Sequence, residues 1–328
     1  MGFQRCKADS CVYIKRVSDH ISFLALYVDD MLIASSTKHE MDEIIAGMNQ
    51  QVEVENRGPI SFYLGMEIER YGSRGAIRIH QTKYTEDLLM RWNMDKCKPA
   101  STPWANGTFI GSLMYLAVIS RPDIAHVVSK LSQFNTHPHR EHFQAAKHLL
   151  RYLRKNPIVM ITYSNNLEDF VSFTDADWGS DSEDRKSYTG YVMFIVGGVI
   201  AWESKKQSVV ALSTMEAEYV ALCQGTREVI FVRNLLQEMG FTEHLTKPTV
   251  IKSNNQSALF MVKNAAVQKR SKHIELKFHY IREKYNDGSN AVEYVPTEEN
   301  AADILTKALC KQKHSRACNL LRMILKPM

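Results

Sequence analysis

Two aspartates follow an apolar segment near the middle of the sequence, where they could support metal chemistry. Apolar and polar residues alternate from Phe170 to Phe173, and Asp175 and Asp177 come where the predicted strand should end. A carboxylate at the rim of a sheet can bind a divalent cation, because the backbone fixes it and the edge admits water and phosphate. The alternative is a polar strand end that enters a loop, and these residues taken alone favour it.

A second pair of acids, Asp29 and Asp30, interrupts the apolar segment Ile21–Ser35. Two carboxylates inside such a segment are costly to bury unless they bind a cation or lie at an exposed turn. A tight turn here would place both at the tip of a hairpin. An acidic turn without chemistry is the alternative.

The elements around these acids predict a mixed chain of strands and helices. Thr37 and Glu40 match a capping box at the start of a helix, and Gly240 should end a long one. Gly197-Gly198 predicts a hairpin turn. The predicted elements include the strands Cys11–Arg16, Val159–Tyr163, Phe170–Thr174, Gly190–Val196 and Val199–Glu203 and the helices Thr37–Gln51, Arg140–Lys155 and Thr214–Met239.

Composition narrows the class of protein. A length of 328 residues suggests two domains or one large one, and the net charge is +5. The six cysteines have no paired spacing, so we expect reduced thiols and an intracellular protein, cytoplasmic or nuclear. No segment is long and apolar enough to span a bilayer. The basic clusters fit either phosphate contacts or exposed helix faces, and the predicted phosphate contacts are Lys205, Lys206, Arg270 and Lys272.

Motifs along almost the whole chain resemble those of copia-type retrotransposon polyproteins. They are, in order, CVYIK, LYVDDMLIAS, LGMEIER, CKPASTP, GSLMYLAVISRPDIAH and RYLRKN. The resemblance implies that Asp29 and Asp30 belong to the YVDD hairpin of a reverse transcriptase, which presents carboxylates to two magnesium ions. It further implies a partial palm and thumb in residues 1–95, a helical connection in 96–157 and a ribonuclease H-like domain in 158–328.

The N-terminal half of the chain departs from the family in two ways. The YVDD pair needs an earlier aspartate and the fingers, and we expect the chain to begin after both. The polypeptide alone should therefore have no polymerase activity. Pro103 is followed almost at once by Gly111, where the family has a longer segment, so we expect an internal deletion.

The C-terminal motifs TDADWGSD, DRKSYTGY, ALSTMEAEYVAL and AADILTK resemble the copia-type ribonuclease H. That family cleaves the RNA strand of an RNA–DNA hybrid with four carboxylates and two magnesium ions, for which manganese is a possible substitute. The resemblance places the first acid on Asp175 and the fourth on Asp303. The second is Glu216 or Glu218. Glu216 fits a capping box with Ser213, so we favour Glu218.

The third acidic position departs from the family, because Asn254 stands where the family has an aspartate. An amide oxygen can touch a metal but carries no charge, and magnesium selects hard anionic oxygens. We therefore expect weakened metal binding at Asp175, Glu218 and Asp303, with little or no cleavage. The alternatives to an impaired nuclease are a nucleic-acid-binding protein without turnover and the decayed product of a transposable element.

Overall fold

The computed structural model describes residues 1–72, 75–99, 110–164, 170–264 and 275–326. The chain divides into two compact units. The first contains Met1–Ile60 and Ile230–Thr246, and the second contains Ser61–Val229 and Lys247–Met328. The three-part division expected from the resemblance stays a prediction. No helix in the described ranges is both long and apolar enough to cross a membrane.

Fourteen strands and nine helices are found in the described residues. The strands are β1 Gln4–Arg5, β2 Val12–Val17, β3 His20–Tyr27, β4 Asp30–Ser35, β5 Phe62–Tyr63, β6 Met66–Tyr71, β7 Ala76–His80, β8 Ile158–Tyr163, β9 Val171–Ala176, β10 Tyr188–Ile195, β11 Gly198–Lys206, β12 Thr249–Ser253, β13 Asn290–Tyr294 and β14 Ile324–Lys326. The helices are α1 Lys38–Asn49, α2 Thr82–Arg91, α3 Gly111–Ile119, α4 Pro122–Ser132, α5 Arg140–Lys155, α6 Thr214–Met239, α7 Gln256–Lys263, α8 Glu275–Asn286 and α9 Lys311–Leu320.

The first unit is built on a four-stranded antiparallel sheet in the order β1-β2-β3-β4. Helix α1 follows it and begins at the predicted cap, where Thr37 Oγ1 accepts a hydrogen bond of 3.3 Å from the Glu40 backbone N–H. Ile44 and Met48 form its buried stripe. The predicted helix is confirmed, although it ends at Asn49 rather than at Gln51.

The second unit contains two five-stranded sheets, and the first has the order β14-β8-β7-β6-β5. The sequence grouped Val159–Tyr163 with the strands that follow it. Instead, β8 pairs with β7 on one side and with β14 on the other. This pairing joins segments more than eighty residues apart, so no local signal in the sequence could indicate it.

The second sheet of this unit has the order β11-β10-β9-β12-β13. Strands β9, β10 and β11 are antiparallel, whereas β12 runs parallel to both β9 and β13. Helix α6 separates β11 from β12 along the chain, and α7 and α8 separate β12 from β13. Three antiparallel strands, a helix, a parallel strand and further helices confirm the expected ribonuclease H-like arrangement.

The turn between β10 and β11 lies one residue earlier than predicted. Val196 and Gly197 both have positive φ, at 48° and 78°, and Ile195 pairs with Gly198. Two such residues suit a type I′ hairpin turn. Gly198 belongs to β11, where a Cβ would overlap the ring of Tyr163. Close packing against this ring, rather than freedom of φ, explains the second glycine.

A fully buried ion pair lies in the core of the second unit. Arg121 Nε and Nη2 donate to the two oxygens of Asp123 at 2.9 and 2.8 Å. Tyr152 Oη donates to Asp123 at 2.6 Å, and Arg121 Nη1 donates to the Asn156 carbonyl at 3.1 Å. Burial alone would raise the pKa of Asp123, but Arg121 holds it below its usual value. The pair fixes the start of α4 against α5.

Candidate functional site

The site forms around Asp175, which lies inside β9 rather than beyond its end. Asp175 pairs with Gly190 of β10 and is fully buried. A Cβ at Gly190 would lie 2.7 Å from Leu305 Cβ and 3.1 Å from the Ala302 carbonyl oxygen. The missing side chain therefore lets residues 302–306 pack on the sheet. This close approach brings Asp303, Thr306 and Lys307 to Asp175.

Both oxygens of the Asp175 carboxylate are engaged by other groups of the chain. Lys307 Nζ lies 3.0 Å from Oδ2. Asn254 Nδ2 donates to Oδ1 at 3.3 Å, and Thr306 Oγ1 donates to Oδ2. Every one of these partners presents an N–H or O–H group. Asn254 thus faces Asp175 through its nitrogen, and not as an oxygen ligand.

Asp303 is the first residue of a short 3-10 turn, Asp303–Leu305, rather than of an α-helix. Its Oδ1 lies 2.6 Å from Lys307 Nζ, four residues further along the chain. Burial raises the pKa of Asp303, the Lys307 charge lowers it, and the Asp175 charge raises it again. Lys307 is also partly buried, which disfavours its charge, but Asp175 and Asp303 together raise its pKa above the usual value. The ammonium bridges the two carboxylates.

The two candidate glutamates of α6 have different surroundings. The Glu216 N–H donates to Ser213 Oγ at 3.2 Å, and Glu216 Oε2 accepts from the Leu212 N–H at 2.8 Å. Glu216 therefore caps the helix. Glu218 is buried, and its Oε2 has no hydrogen-bond partner among the residues that the structure describes. Burial raises the pKa of Glu218 well above its usual value, and the Asp175 charge raises it further. Of the two, Glu218 is the one near Asp175.

Asp177 turns away to support β10. Its Oδ1 accepts a hydrogen bond from the Tyr188 N–H, and only 6% of the residue is exposed. Burial raises its pKa to about 6. Asp177 is therefore part of the strand pairing, while Asp175 faces the cluster.

These residues do not fit a pair of magnesium ions. The described part of the chain contains no group of three or more His, Cys, Asp or Glu side chains arranged to hold a metal. Magnesium requires several oxygen ligands in a near-octahedral shell. Here Lys307 lies between Asp175 and Asp303, and Asn254 points its NH₂ group inward. The chain itself supplies the positive charge and the hydrogen-bond donors.

Asp29 and Asp30 lie at the tip of the β3–β4 hairpin, and both are exposed. Tyr27 pairs with Asp30, so Val28 and Asp29 form the turn. Val28 has a φ of 52° and is 80% exposed. A branched apolar residue in the left-handed region is strained, which is typical of functional turns.

The basic residues predicted to contact phosphate differ in their exposure and in their ion pairs. Lys205 is exposed over 68% of its side chain and lies 3.6 Å from Glu203. Lys206 Nζ lies 2.9 Å from Asp181 and 3.0 Å from Asp184, so it forms part of an ion-pair cluster. Arg270 and Lys272 lie outside the described residues.

Comparison with known proteins shows which proteins the chain is similar to. Residues 1–106 match the family model described as reverse transcriptase (RNA-dependent DNA polymerase). The chain is 37% identical over 341 residues to the Retrovirus-related Pol polyprotein from transposon TNT 1-94 of Nicotiana tabacum. Over almost its whole length the chain is thus similar to Pol polyproteins of copia-type retrotransposons. The alignment covers 96% of this chain but 26% of the tobacco protein, so the chain spans about a quarter of that relative.

Two solved structures are similar to parts of this chain. LC11-RNase H1 in complex with RNA/DNA hybrid is 18% identical, with a TM-score of 0.32, over 42% of this chain and 94% of that one. The foamy viral protease-reverse transcriptase dRH in complex with double-stranded DNA is 14% identical, with a TM-score of 0.44. The similarity covers 84% of this chain and 46% of that chain.

Sequence reasoning missed the residues that surround and position the buried carboxylate of Asp175. Lys307, Thr306 and Gly190 decide the geometry around Asp175, yet none was a candidate. One signal was present, since Asp303 and Lys307 stand four residues apart, a spacing that allows ion pairs on a helical turn. The contact of Gly190 with residues 302–306 had no local signal.

Proposed function

We propose that this chain binds RNA–DNA hybrid on its ribonuclease H-like sheet and cleaves it weakly or not at all. The observation that carries the proposal is the surroundings of Asp175. Lys307, Asn254 and Thr306 all direct donors at this carboxylate. Two-metal hydrolysis depends on anionic oxygens that face the ions. A carboxylate already engaged by three donors is a poor ligand, so binding survives better than hydrolysis.

The proposed nucleic-acid surface includes Lys205, whose ammonium is largely exposed on β11. Arg270 and Lys272 remain predicted phosphate contacts. Lys206 belongs to the same proposal, although Asp181 and Asp184 compete with phosphate for its charge. Contacts of this kind give sequence-independent, salt-dependent affinity.

The cofactor proposal follows from the same chemistry. Magnesium, or manganese in its place, would have to bind through Asp175, Glu218 and Asp303, with Asn254 contributing no charge. We propose that such binding is weak. A divalent ion would supply Lewis-acid activation of water when bound, while the residues themselves orient the backbone of the hybrid.

The test is a paired binding and cleavage assay with a labelled RNA–DNA hybrid. The chain, its Asn254→Asp variant and its Asp175→Asn variant are measured by fluorescence anisotropy and by gel, with magnesium and with manganese. We expect all three to bind, and Asn254→Asp to cleave faster than the parent. Asp175→Asn should not cleave.

Two results would contradict the proposal. The first is strong cleavage by the parent chain that Asp175→Asn abolishes and Asn254→Asp does not increase. The second is the absence of hybrid binding by a chain that unfolds cooperatively, which would remove the nucleic-acid role. A chain that neither binds nor unfolds cooperatively would favour the decayed-element alternative.

The YVDD hairpin carries a separate proposal, that this polypeptide alone does not extend a primer. Asp29 and Asp30 are exposed at a turn, and the family mechanism requires a further aspartate on another strand. Primer extension by the purified chain with magnesium tests this directly. Incorporation that Asp29→Asn abolishes would overturn it.

We place this function inside the cell, in the cytoplasm or the nucleus. All six cysteines fall within the described residues and all are free thiols. Free thiols are typical of reducing compartments. Imaging of a tagged chain checks the proposal, and an extracellular location would contradict it.

A further inference from the structure

The acid cluster already contains a cation of its own. Lys307 Nζ lies 2.6 Å from Asp303 Oδ1 and 3.0 Å from Asp175 Oδ2. These are the separations of charge-assisted hydrogen bonds. Asp175 is fully buried and the Asp303 side chain is 15% exposed, so neither acid could stay ionised cheaply without a partner.

The Lys307 ammonium has the position and the positive charge that a bound metal ion would otherwise have. Thr306 and Asn254 complete the hydrogen bonds of Asp175 on its two oxygens. Glu218 Oε2 is buried without a partner among the described residues and lies in the field of Asp175. Asp175 and Asp303 are the two carboxylates that the Lys307 ammonium contacts.

The Lys307 side chain can also move away from the two carboxylates. Its side chain is 35% exposed, whereas that of Asp175 is fully buried. A flexible four-carbon stem can swing an ammonium out to water at small cost, which a buried carboxylate cannot do. The space between Asp175 and Asp303 can therefore hold either the ammonium or another cation.

We propose that the Lys307 ammonium is the resident cation of this cluster, and that Lys307 and a divalent ion exclude each other from the space between Asp175 and Asp303. A divalent ion must displace Lys307 before it can bind. This competition acts in addition to the lost charge at Asn254. The inference rests on the proposed function only in treating Asp175 and Asp303 as the acids of the nucleic-acid site.

The experiment uses the full chain without nucleic acid. Tm is measured in EDTA and in manganese, and bound Mn²⁺ is counted by electron paramagnetic resonance for the parent and for Lys307→Met. Methionine keeps most of the length of the side chain and removes the charge. In EDTA we expect Lys307→Met to lower Tm by roughly 3–10 °C, because two carboxylates lose their partner. It should bind Mn²⁺ at least about tenfold more tightly than the parent.

Lys313→Met is the matched control. Lys313 is exposed on α9 and its charge also acts on Asp303. Its removal changes the field at the cluster without vacating the space between the two acids. We expect it to change neither Tm nor Mn²⁺ affinity appreciably. Lys307→Arg, which keeps the charge, should bind Mn²⁺ as weakly as the parent.

Three results would overturn the inference. They are equal Mn²⁺ affinity for the parent and Lys307→Met, an unchanged Tm of Lys307→Met in EDTA, and a gain of affinity in Lys313→Met as large as in Lys307→Met. If Lys307→Met unfolds in EDTA, refolding it with manganese decides the matter. Recovery supports exchange of cations, and failure to recover contradicts it. Hybrid binding does not enter these readouts, so the two proposals fail separately.

Discussion

The negative charges of two acid pairs in this chain are stabilised in opposite ways, one by water and the other by side chains. Asp29 and Asp30 are neighbours in sequence and lie exposed at a hairpin tip, where water solvates both. Asp175 and Asp303 are distant in sequence and meet in the interior, where Lys307, Asn254 and Thr306 compensate them. The first pair needs no partner from the fold. The second exists only because the fold supplies one.

The difference shows what each pair can reveal about function. Exposed acids are solvated by water and need no partner, so their position says little about what they bind. Buried acids have to be balanced, and the identity of the balancing group is informative. At Asp175 that group is a lysine of the same chain.

The largest expected effect comes from breaking a buried pair outright. Arg121→Met leaves the buried Asp123 without the guanidinium that balances its charge and without the two hydrogen bonds that this group donates. We expect the free energy of unfolding to fall by about 3–5 kcal/mol, as is typical when one partner of a buried ion pair is removed. Chemical denaturation measures the loss.

The exposed acids provide the control for this prediction. Asp29→Asn and Asp30→Asn should each change the free energy of unfolding by less than about 0.5 kcal/mol. Arg121→Met combined with Asp123→Leu should regain part of the loss, because an apolar pair often replaces a buried ion pair without cost. A loss near zero for Arg121→Met would refute the distinction between buried and exposed charge.

An intermediate effect is expected from Gly190→Ala, which tests how the buried cluster is assembled. The new Cβ would meet Leu305 Cβ, Thr306 Cγ2 and the Ala302 carbonyl, all within 3.1 Å. Overpacking of this kind costs about 1–3 kcal/mol. The displaced segment should also carry Lys307 away from Asp175 and weaken the cluster.

Gly111→Ala is the matched control for Gly190→Ala. Gly111 begins α3, and a Cβ there would meet nothing within 4 Å. Alanine favours helix over glycine, so this change should leave the stability unchanged or raise it slightly. Denaturation curves of the two variants are compared. Equal stability would show that the close approach at Gly190 is unimportant.

The smallest expected effect separates Glu216 from Glu218. Glu216→Gln weakens the acceptor for the Leu212 N–H and should cost about 0.5–1 kcal/mol. Glu218→Gln removes a charge that burial disfavours, because burial raises the pKa of this carboxyl well above its usual value. Its effect on stability should be near zero. The opposite order of the two losses would reverse the roles given to these residues.

Local signals predicted the helices well. The predicted bounds of α5 and α6, Arg140–Lys155 and Thr214–Met239, agree with the structure. Gly240 has a φ of 93° and ends α6 as expected, because glycine adopts this conformation without strain. Caps and stops act within a few residues, so the sequence displays them directly.

The sequence named the acids of the candidate site but not their counter-charges. Resemblance located Asp175, Asp303 and Asn254, and the capping box that begins at Ser213 favoured Glu218 over Glu216. Lys307 became relevant only through the approach of residues 302–306 to Gly190. The predicted strand end at Thr174 was two residues short for a similar reason, because pairing with β10 extends β9 to Ala176.

The pairing of β8 with β7 has a practical consequence for anyone who isolates the C-terminal part. A piece starting at residue 158 would keep β8 and β14 but lose β7, and with it the hydrogen bonds from Ile77–Ile79 to Ile161–Tyr163. The edge of β8 would then expose unpaired backbone N–H and C=O groups, which can pair with another copy of the chain and cause self-association. A recombinant boundary before Ser61 keeps the β7–β8 pairing intact, so we expect that protein to self-associate less.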